Sequence, residues 1–431
     1  MKLPFNEAFL QFIWQYQDFD HQNLRTTGGE NIEIIHPGYK NVDGGPDFLH
    51  AKVKIDDLLW VGSVEIHLDA SGWQLHKHDI NAAYNNVILH VVYENNRGDL
   101  AVRSDKTKIP VLRLKGLLDS RLIERGIALF ENIATIPCSN FLKNIDPLVL
   151  HSTLDRALTQ RIERKANLVL EMLEANKNDW EETTYTLITQ HFGMKINNDP
   201  FLRLARSVPL KLLLKCGNDI FKIEAILFGQ AGFLLHNFDD EYHQKLKKEY
   251  AFLQHKFGLA NELQLEDWKH LRLRPHNFPE IRIAQLAALY SKTATLHSQL
   301  IQIEDAKLIK SLFHTEVSGY WQAHYGFGKP SKNHAKALGD LALDNLLINV
   351  VCILLVSYGL YKTDDRFIER ATKILEPIAA ENNKIVRQWT EFDVKPKNAY
   401  ESQALIELFN DFCSNKKCLN CQIGVHILGR K

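Results

Sequence analysis

A predicted β-hairpin with an acidic residue at each end is the feature that most constrains the fold of this chain. Residues Phe48–Ile55 alternate between apolar and polar side chains, Asp56-Asp57 provides a turn, and Leu58–Val64 continues as a second strand. Asp47 precedes the first strand and Glu65 follows the second. Because the strands of a hairpin lie side by side, we expect the two carboxylates to be within reach of each other.

The face that carries Glu65 is predicted to be the chemical face of this hairpin. Side chains alternate along a strand, so Glu65 and His67 share one face and Ile66 points to the other. The carboxylates of Asp47 and Glu65, together with the backbone carbonyl of Ile66, would form an oxygen-rich site of the kind that binds Mg²⁺ or Mn²⁺. Such a metal polarises a phosphoryl group and activates water.

The sequence around the hairpin predicts an α+β domain followed by a large all-α domain. Helical spacing of apolar residues alternates with β-rich runs in the first part of the chain, which gives the order αβββαβ. The predicted elements are a helix at Asn6–Tyr16, strands at Ile32–His36 and Asn86–Tyr93, one or two strands within Val102–Leu114, and a helix at Leu117–Phe130. We place the domain boundary near residue 136, so that residues 1–136 form the α/β domain and residues 137–431 form the helical domain.

The pattern of Pro46-Asp47 followed by Glu65-Ile66-His67 resembles that of the PD-(D/E)xK nuclease superfamily. That pattern is Pro-Asp, a variable hairpin, then an acid, any residue and lysine, within a restriction-endonuclease-like αβββαβ core. The resemblance implies metal-dependent hydrolysis of phosphodiester bonds, with Asp47 and Glu65 holding Mg²⁺ or Mn²⁺. The whole chain, with motifs such as Arg274–Pro279, also resembles a bacterial family of domains of unknown function, and that likeness implies no activity.

His67 occupies the position of the lysine in this pattern, which is a departure from the superfamily. A neutral imidazole can orient or deprotonate water or bind a metal, but it lacks the fixed charge of lysine. Lys52 or Lys54, which share a face of the neighbouring strand, are candidates to supply that charge. A catalytically inactive nucleic-acid-binding or assembly protein on the same fold is the main alternative.

A group of histidines directly after the hairpin supports a second alternative, a His-ligated zinc hydrolase. His76, His78 and Asp79 follow His67 closely in sequence. Together with His67 they would form a nitrogen-rich zinc site, in which Glu65 acts as the general base. If the segment is helical, these residues lie near the end of the hairpin.

Three of the six cysteines cluster near the C-terminus, at Cys413, Cys418 and Cys421. This spacing allows three thiolates to bind one metal, and Cys138 or His426 could supply a fourth ligand. The cluster therefore predicts either a structural zinc site or an iron–sulfur cluster. Six cysteines in a chain of 431 residues are too few for a disulfide scaffold.

The overall charge limits which partners are plausible. The chain has 52 Lys and Arg against 52 Asp and Glu, so any nucleic-acid site must be a local patch. Arg272, Arg274 and His276, beside Trp268 and Phe278, are candidates for such a patch, although a structural role for these arginines is favoured.

The N-terminal sequence and the most apolar run indicate the expected location of the protein. Met1–Phe12 does not resemble a signal peptide, and we expect a cytoplasmic protein without a membrane anchor. The most apolar run, Asn345–Leu360, is shorter than the roughly 20 residues that a bilayer requires and predicts a buried helix.

Overall fold

The structure is a computed structural model that describes residues 5–95, 98, 101–293, 295–332 and 336–429. The chain divides into two compact units. Unit 1 comprises the described residues within Met1–Asp155, Arg387–Lys395 and Ile406–Lys431, and unit 2 those within Arg156–Val386 and Pro396–Leu405. The predicted boundary near residue 136 stays a prediction.

Unit 1 is built on one mixed β-sheet, as expected for an α+β protein. Its strands lie in the order β1-β3-β4-β5-β6, and β2 pairs with β3. The pairs β1–β3 and β3–β4 are antiparallel, whereas β4–β5 and β5–β6 are parallel. The strands are β1 (Ile32–His36), β2 (Tyr39–Lys40), β3 (Phe48–Ile55), β4 (Leu58–Asp69), β5 (Val87–Glu94) and β6 (Val111–Arg113).

The central strands β4 and β5 are buried in the part of the sheet that carries the predicted site residues. β5 is paired on both sides, and its residues Val87–Val92 are all buried, which matches the continuous apolar run expected of a parallel strand. In β4 the first four residues are exposed, and Gly62–His67 are buried. The chemical residues of β4 therefore lie in its buried half.

Helix α1 (Glu7–Tyr16) packs against β4 through an apolar stripe. The Asn6 side chain caps it by accepting a hydrogen bond from the N–H of Phe9 at 3.2 Å. Glu7 and Gln11 are one helical turn apart and so lie on the same side of α1. The other helices of the first part of the chain are α2 (Gly72–Leu75) and α3 (Ser120–Phe130), and short 3₁₀ turns follow α2 at His78–Ile80 and Ala82–Tyr84.

The remainder of the chain is almost entirely helical, as predicted. A two-stranded hairpin of β7 (His324–Gly326) and β8 (Lys329–Pro330) interrupts it. The helices are α4 (Pro147–Ala175), α5 (Trp180–Phe192), α6 (Asn198–Ser207), α7 (Leu210–Leu214), α8 (Ile220–Gln230), α9 (Glu241–Phe257), α10 (Pro279–Lys292), α11 (Leu296–Gln302), α12 (Ala306–Leu312), α13 (Gly319–Gln322), α14 (Asp340–Leu346), α15 (Cys352–Lys362), α16 (Asp365–Leu375), α17 (Lys384–Glu391), α18 (Ala399–Glu407) and α19 (Gln422–Leu428). Segments of π-helix lie at Leu347–Val351 and Leu408–Cys413.

One helical stretch of unit 2 is long and apolar enough to cross a bilayer by length and composition. It runs from Asp340 to Lys362, and 67% of its most apolar window is buried within the protein. The prediction of a buried helix over Asn345–Leu360 is therefore confirmed for most of its length.

Candidate metal centre

The buried half of β4 presents Glu65 and His67 on one face, as the alternation of the strand predicts. Both side chains are almost fully buried, with exposed fractions of 6% and 1%. In the parallel pairing with β5, His90 lies beside Glu65. Nδ1 of His67 lies 2.8 Å from Nε2 of His90, so these two imidazoles are joined by a hydrogen bond in the core of the sheet.

Two further histidines reach the same point from the segment after β4. Helix α2 ends at Leu75, and Lys77 adopts a left-handed backbone conformation with φ of 61°. The residues from 75 to 82 therefore do not form the continuous helix on which the predicted proximity depended. The turn at Lys77 instead brings His76 and His78 to the same side, where His76 is exposed and His78 is buried.

Four side-chain donor atoms meet at this point. Nε2 of His67 lies 3.1 Å from Nδ1 of His76 and 3.7 Å from Oε1 of Glu65. The same Glu65 oxygen lies 3.2 Å from Nε2 of His78, and each of the three histidines has a ligand atom within 4.8 Å of those of the other two. Zn–N bonds of 2.0–2.1 Å place neighbouring tetrahedral ligands about 3.3 Å apart. The donor atoms thus have the spacing of ligands around one metal ion.

The imidazoles are held in position by aromatic packing. The ring of Tyr84 stacks on that of His78 with a centroid distance of 3.7 Å. Trp73 packs against both His78 and His90 at 5.3 Å, and its Nε1 donates to the carbonyl of Val102 at 2.8 Å. These rings occupy the space into which a misplaced imidazole could move, which favours a pre-organised donor set.

Gly72 makes the close approach of α2 to His67 possible. A Cβ atom at residue 72 would lie 2.6 Å from Cγ and Cδ2 of the His67 ring, which is closer than van der Waals contact allows. A residue without a side chain is therefore required at this position.

Asp47 lies beside the donor set, and hydrogen bonds hold its carboxylate. Its Oδ2 accepts from the N–H of Ile66 at 3.0 Å, and its Oδ1 accepts from Nε2 of Gln11 at 2.8 Å. Its own N–H donates to Oε2 of Glu65 at 3.0 Å. Burial, followed by the charge of Glu65, raises the pKa of Asp47 to about 7. The structure thus brings Asp47 and Glu65 together, as the hairpin predicts.

Burial also affects the ionisation of the histidines. Burial, followed by the neighbouring His90, His76 and His78 in that order of effect, lowers the pKa of His67 to about 2. Burial and then His78 lower the pKa of His90 to about 3. Both imidazoles are therefore neutral at physiological pH, which is the form that binds a metal.

The two lysines of β3 lie on the same side of the sheet as Glu65 but further along the strand. Lys52 is opposite Val61 and Lys54 is opposite Leu59. Val61 is four residues from Glu65, which corresponds to about 13 Å at the rise of a strand. The lysines therefore lie away from the four donor atoms.

Cys138, Cys413, Cys418 and Cys421 all belong to unit 1, and all are buried and free of disulfide bonds.

The candidate nucleic-acid patch around Trp268 belongs to unit 2. Trp268 is buried, its ring packs against Phe201 and its Nε1 donates to the carbonyl of Ala231 at 2.7 Å. The Trp268 ring is therefore part of the core and does not present a face for base stacking, whereas Arg272 and Arg274 are exposed.

Sequence reasoning missed His90 and Gln11 as members of the site. His90 is a polar residue in the middle of the buried run Val87–Val92, and a buried polar residue in a central strand is an informative signal. Gln11 carries no such signal, because it lies on an amphipathic helix where polar residues are expected.

A family model matches residues 7–384, and its description is Protein of unknown function (DUF2851). No curated protein and no solved structure matched the chain. The matched range covers most of the 431 residues and includes the hairpin, the histidines and much of the helical part. The chain therefore belongs to the DUF2851 family.

Proposed function

We propose that the protein is a metal-dependent hydrolase whose metal ion is bound by His67, His76 and His78. The observation that carries the proposal is the close spacing of the donor atoms. Nε2 of His67 lies 3.1 Å from Nδ1 of His76, and Oε1 of Glu65 lies 3.2 Å from Nε2 of His78 and 3.7 Å from Nε2 of His67. Three imidazoles favour Zn²⁺ over Mg²⁺, which prefers a shell of oxygen ligands. Mn²⁺ remains the alternative ion, because Glu65 and Asp47 supply oxygens.

The role of Glu65 in this proposal is that of a general base. A zinc ion bound by three protein ligands lowers the pKa of a water molecule at its open position to about 7. The N–H of Asp47 donates to Oε2 of Glu65 and leaves Oε1 directed towards the imidazoles. If the ion is bound by the three imidazoles alone, Oε1 would lie beside it and could accept a proton from that water.

His67 acts as a metal ligand in this proposal, which accounts for its place in a position where the nuclease pattern has lysine. A lysine at residue 67 could not bind the ion. Solvent can reach the centre from the side of His76, which is exposed, whereas a structural zinc site is normally closed.

We propose phosphodiesters as the substrate class, on an α/β domain that resembles the PD-(D/E)xK nucleases. Two features support this: the Asp47-hairpin-Glu65 order, and a sheet in which antiparallel β1, β3 and β4 are followed by the parallel β5. A cytoplasmic location and a nucleic-acid partner are part of the same proposal. The alternative is a catalytically silent nucleic-acid-binding or assembly protein.

The test is hydrolysis of single- and double-stranded DNA and RNA, and of a small-molecule phosphodiester, by the full chain loaded with Zn²⁺ or Mn²⁺. We expect Glu65→Gln to lower the rate about 10²–10⁴-fold while the metal stays bound, and His78→Ala to lose the metal. Lys52→Ala is the matched control, and we expect it to retain activity.

Each outcome of this test discriminates between the candidates. Cleavage that persists in both Glu65→Gln and His78→Ala would assign the activity to another site or to a contaminant. Metal binding without turnover of any substrate would favour the silent alternative. Loss of the metal from Glu65→Gln would contradict the role of Glu65 as a base and make it a ligand.

A further inference from the structure

Four of the six cysteines form a second group of potential ligands, which is separate from the histidine centre. Cys138 lies between α3 and α4, and Cys413, Cys418 and Cys421 lie between α18 and α19. Their exposed fractions are between 7% and 9%, and none is in a disulfide. All four belong to unit 1, although 275 residues separate Cys138 from Cys413 in the sequence.

Two tight turns bring the three C-terminal cysteines close together. The N–H of Lys417 donates to the carbonyl of Phe412 at 2.9 Å, and the N–H of Cys421 donates to the carbonyl of Cys418 at 3.2 Å. Helix α19 then packs directly over Cys418, because a Cβ atom at Gly424 would lie 2.0 Å from the carbonyl oxygen of that cysteine. This close packing gives Cys418 and Cys421 defined positions at the start of α19.

Helix α4, which follows the segment that contains Cys138, contacts the residue after Cys421. Oγ of Ser152, near the start of α4, donates to Oε1 of Gln422 at 3.2 Å, and Gln422 directly follows Cys421. Burial raises the pKa of Cys138, and the thiols of Cys421 and Cys418 raise it further. Burial likewise raises the pKa of Cys413, followed by the effects of Cys138, Cys421 and Cys418. The thiols are thus close enough to repel one another when ionised.

We propose that Cys138, Cys413, Cys418 and Cys421 bind a metal centre of the iron–sulfur type. Four buried thiolates carry several negative charges, which burial strongly disfavours unless cations compensate them. A metal centre supplies these cations, and its binding displaces the thiol protons to solvent. The proposal is independent of the hydrolase activity.

The spacing of the thiols distinguishes the type of centre. Zn–S bonds of about 2.3 Å place the four sulfurs of a zinc site about 3.8 Å apart. In the part of the chain that the structure describes, no three of these thiols have sulfur atoms that all lie within 4.8 Å of one another. The wider arrangement fits a cluster, in which the four cysteines are shared among two or more iron atoms.

Cys138 is a better fourth ligand than His426. His426 lies on α19 and lines a surface cavity together with Asp18, Asp119 and Arg125. Cys138, in contrast, interacts electrostatically with Cys418 and Cys421. The ligand set is therefore made only of thiolates.

The test is metal and sulfide analysis of the full chain purified without oxygen, before and after reconstitution with ferrous iron, ferric iron and sulfide. We expect iron and acid-labile sulfide in similar amounts and visible absorption of a cluster. Cys138→Ser should lose most of the iron, whereas Cys216→Ser, a buried cysteine of unit 2, is the matched control and should retain it.

A His76→Ala variant separates this centre from the histidine centre, because it should lose zinc but keep iron and sulfide. Three results would each overturn the proposal. The first is wild-type protein that contains no iron after reconstitution, and the second is protein that holds zinc in place of iron at the cysteines. The third is a Cys138→Ser variant that retains all of its iron. If Cys138→Ser does not fold, alkylation of native wild-type protein provides the same test, because iron chelation should make four of the six buried thiols reactive and leave Cys216 and Cys352 protected.

Discussion

The contact between His90 and His67 concerns which nitrogen of His67 could bind the proposed metal. Nδ1 of His67 lies 2.8 Å from Nε2 of His90, and both imidazoles are neutral because burial lowers the pKa of each. If Nδ1 of His67 carries the proton and donates it to this hydrogen bond, its Nε2 has a free lone pair that faces His76 and Glu65. Hydrogen bonds of this kind from a metal-binding histidine orient the ring and raise its affinity.

We therefore expect His90→Leu to weaken zinc binding about 10–100-fold, as measured by competition with a chromophoric chelator. The exposed His151, which contacts Asp155 on the surface, provides the control His151→Leu, for which we expect no change. Equal zinc affinity in His90→Leu and wild-type protein would exclude this positioning role, whereas absence of zinc binding in the wild-type protein would instead contradict the proposed centre itself.

Glu224 in α8 is a buried acid whose ionisation opposes folding. Its side chain is fully buried and accepts hydrogen bonds from the Tyr242 hydroxyl at 2.5 Å and from Nε1 of Trp321 at 3.2 Å. Burial raises its pKa from the ordinary 4.5 to about 7. A raised pKa means that the folded state binds the proton more tightly than the unfolded state does. This contribution to stability is complete below pH 4.5 and disappears as the pH rises through about 7.

We compare the free energy of unfolding of Glu224→Gln with that of wild-type protein at pH 4.5 and at pH 9. Between these two pH values we expect the difference to shift in favour of Glu224→Gln by up to about 3 kcal/mol. Urea unfolding at the two pH values measures this difference. Glu171→Gln, at an exposed position of α4, is the control and should show no such pH dependence. A pH-independent difference between Glu224→Gln and wild-type protein would show that the effect is one of packing.

At the scale of elements, the short helix α2 and the turn after it determine the geometry of the histidine centre. Gly72 in α2 lies against the ring of His67, where a Cβ atom would be 2.6 Å from the ring carbons. The ring cannot move away freely, because its two nitrogens contact His76 and His90. α2 therefore needs glycine at this position for packing rather than for an unusual backbone conformation.

We expect Gly72→Ala to lower the free energy of unfolding by about 1–3 kcal/mol through overpacking and to weaken zinc binding. Gly44→Ala is the control, since a Cβ atom at residue 44 would meet no atom within 4 Å. Chemical denaturation and zinc titration of both variants test the expectation. Unchanged zinc affinity in Gly72→Ala would mean that the ring of His67 is not fixed by α2.

The regular elements near the site follow from local sequence patterns. The alternation of Phe48–Ile55 and the β-branched residues of Ile32–His36 predict β3 and β1 with the bounds that the structure has. The segment between β4 and β5 was not predictable in this way. Its residues are polar with scattered apolar positions, and a left-handed residue at Lys77 breaks the helical pattern. Lysine rarely adopts this conformation, so the residue type at position 77 gives no signal for the turn.

At the scale of the whole molecule, equal numbers of acidic and basic residues leave no overall field to attract a polyanion. Any function that involves nucleic acid must therefore depend on a local site. The residues of both proposed metal centres are also local to one part of the chain, because the three histidines and the four cysteines all belong to unit 1. Unit 2 contributes none of the residues named for either centre.

The amino-acid sequence by itself determined the α+β class, the strands of the hairpin and the proximity of Asp47 and Glu65, because these depend on periodicity and on residues close in the chain. The sequence offered the grouping of His67 with His76 and His78, and of Cys138 with the C-terminal cysteines, only as alternatives. The tertiary structure decided that the three histidines meet, that His90 joins them and that Cys138 lies in the same unit as the C-terminal cysteines. The physical reason is that these arrangements depend on strand register, on a left-handed turn and on long-range packing. A local pattern carries no information about contacts between residues that are far apart in the chain.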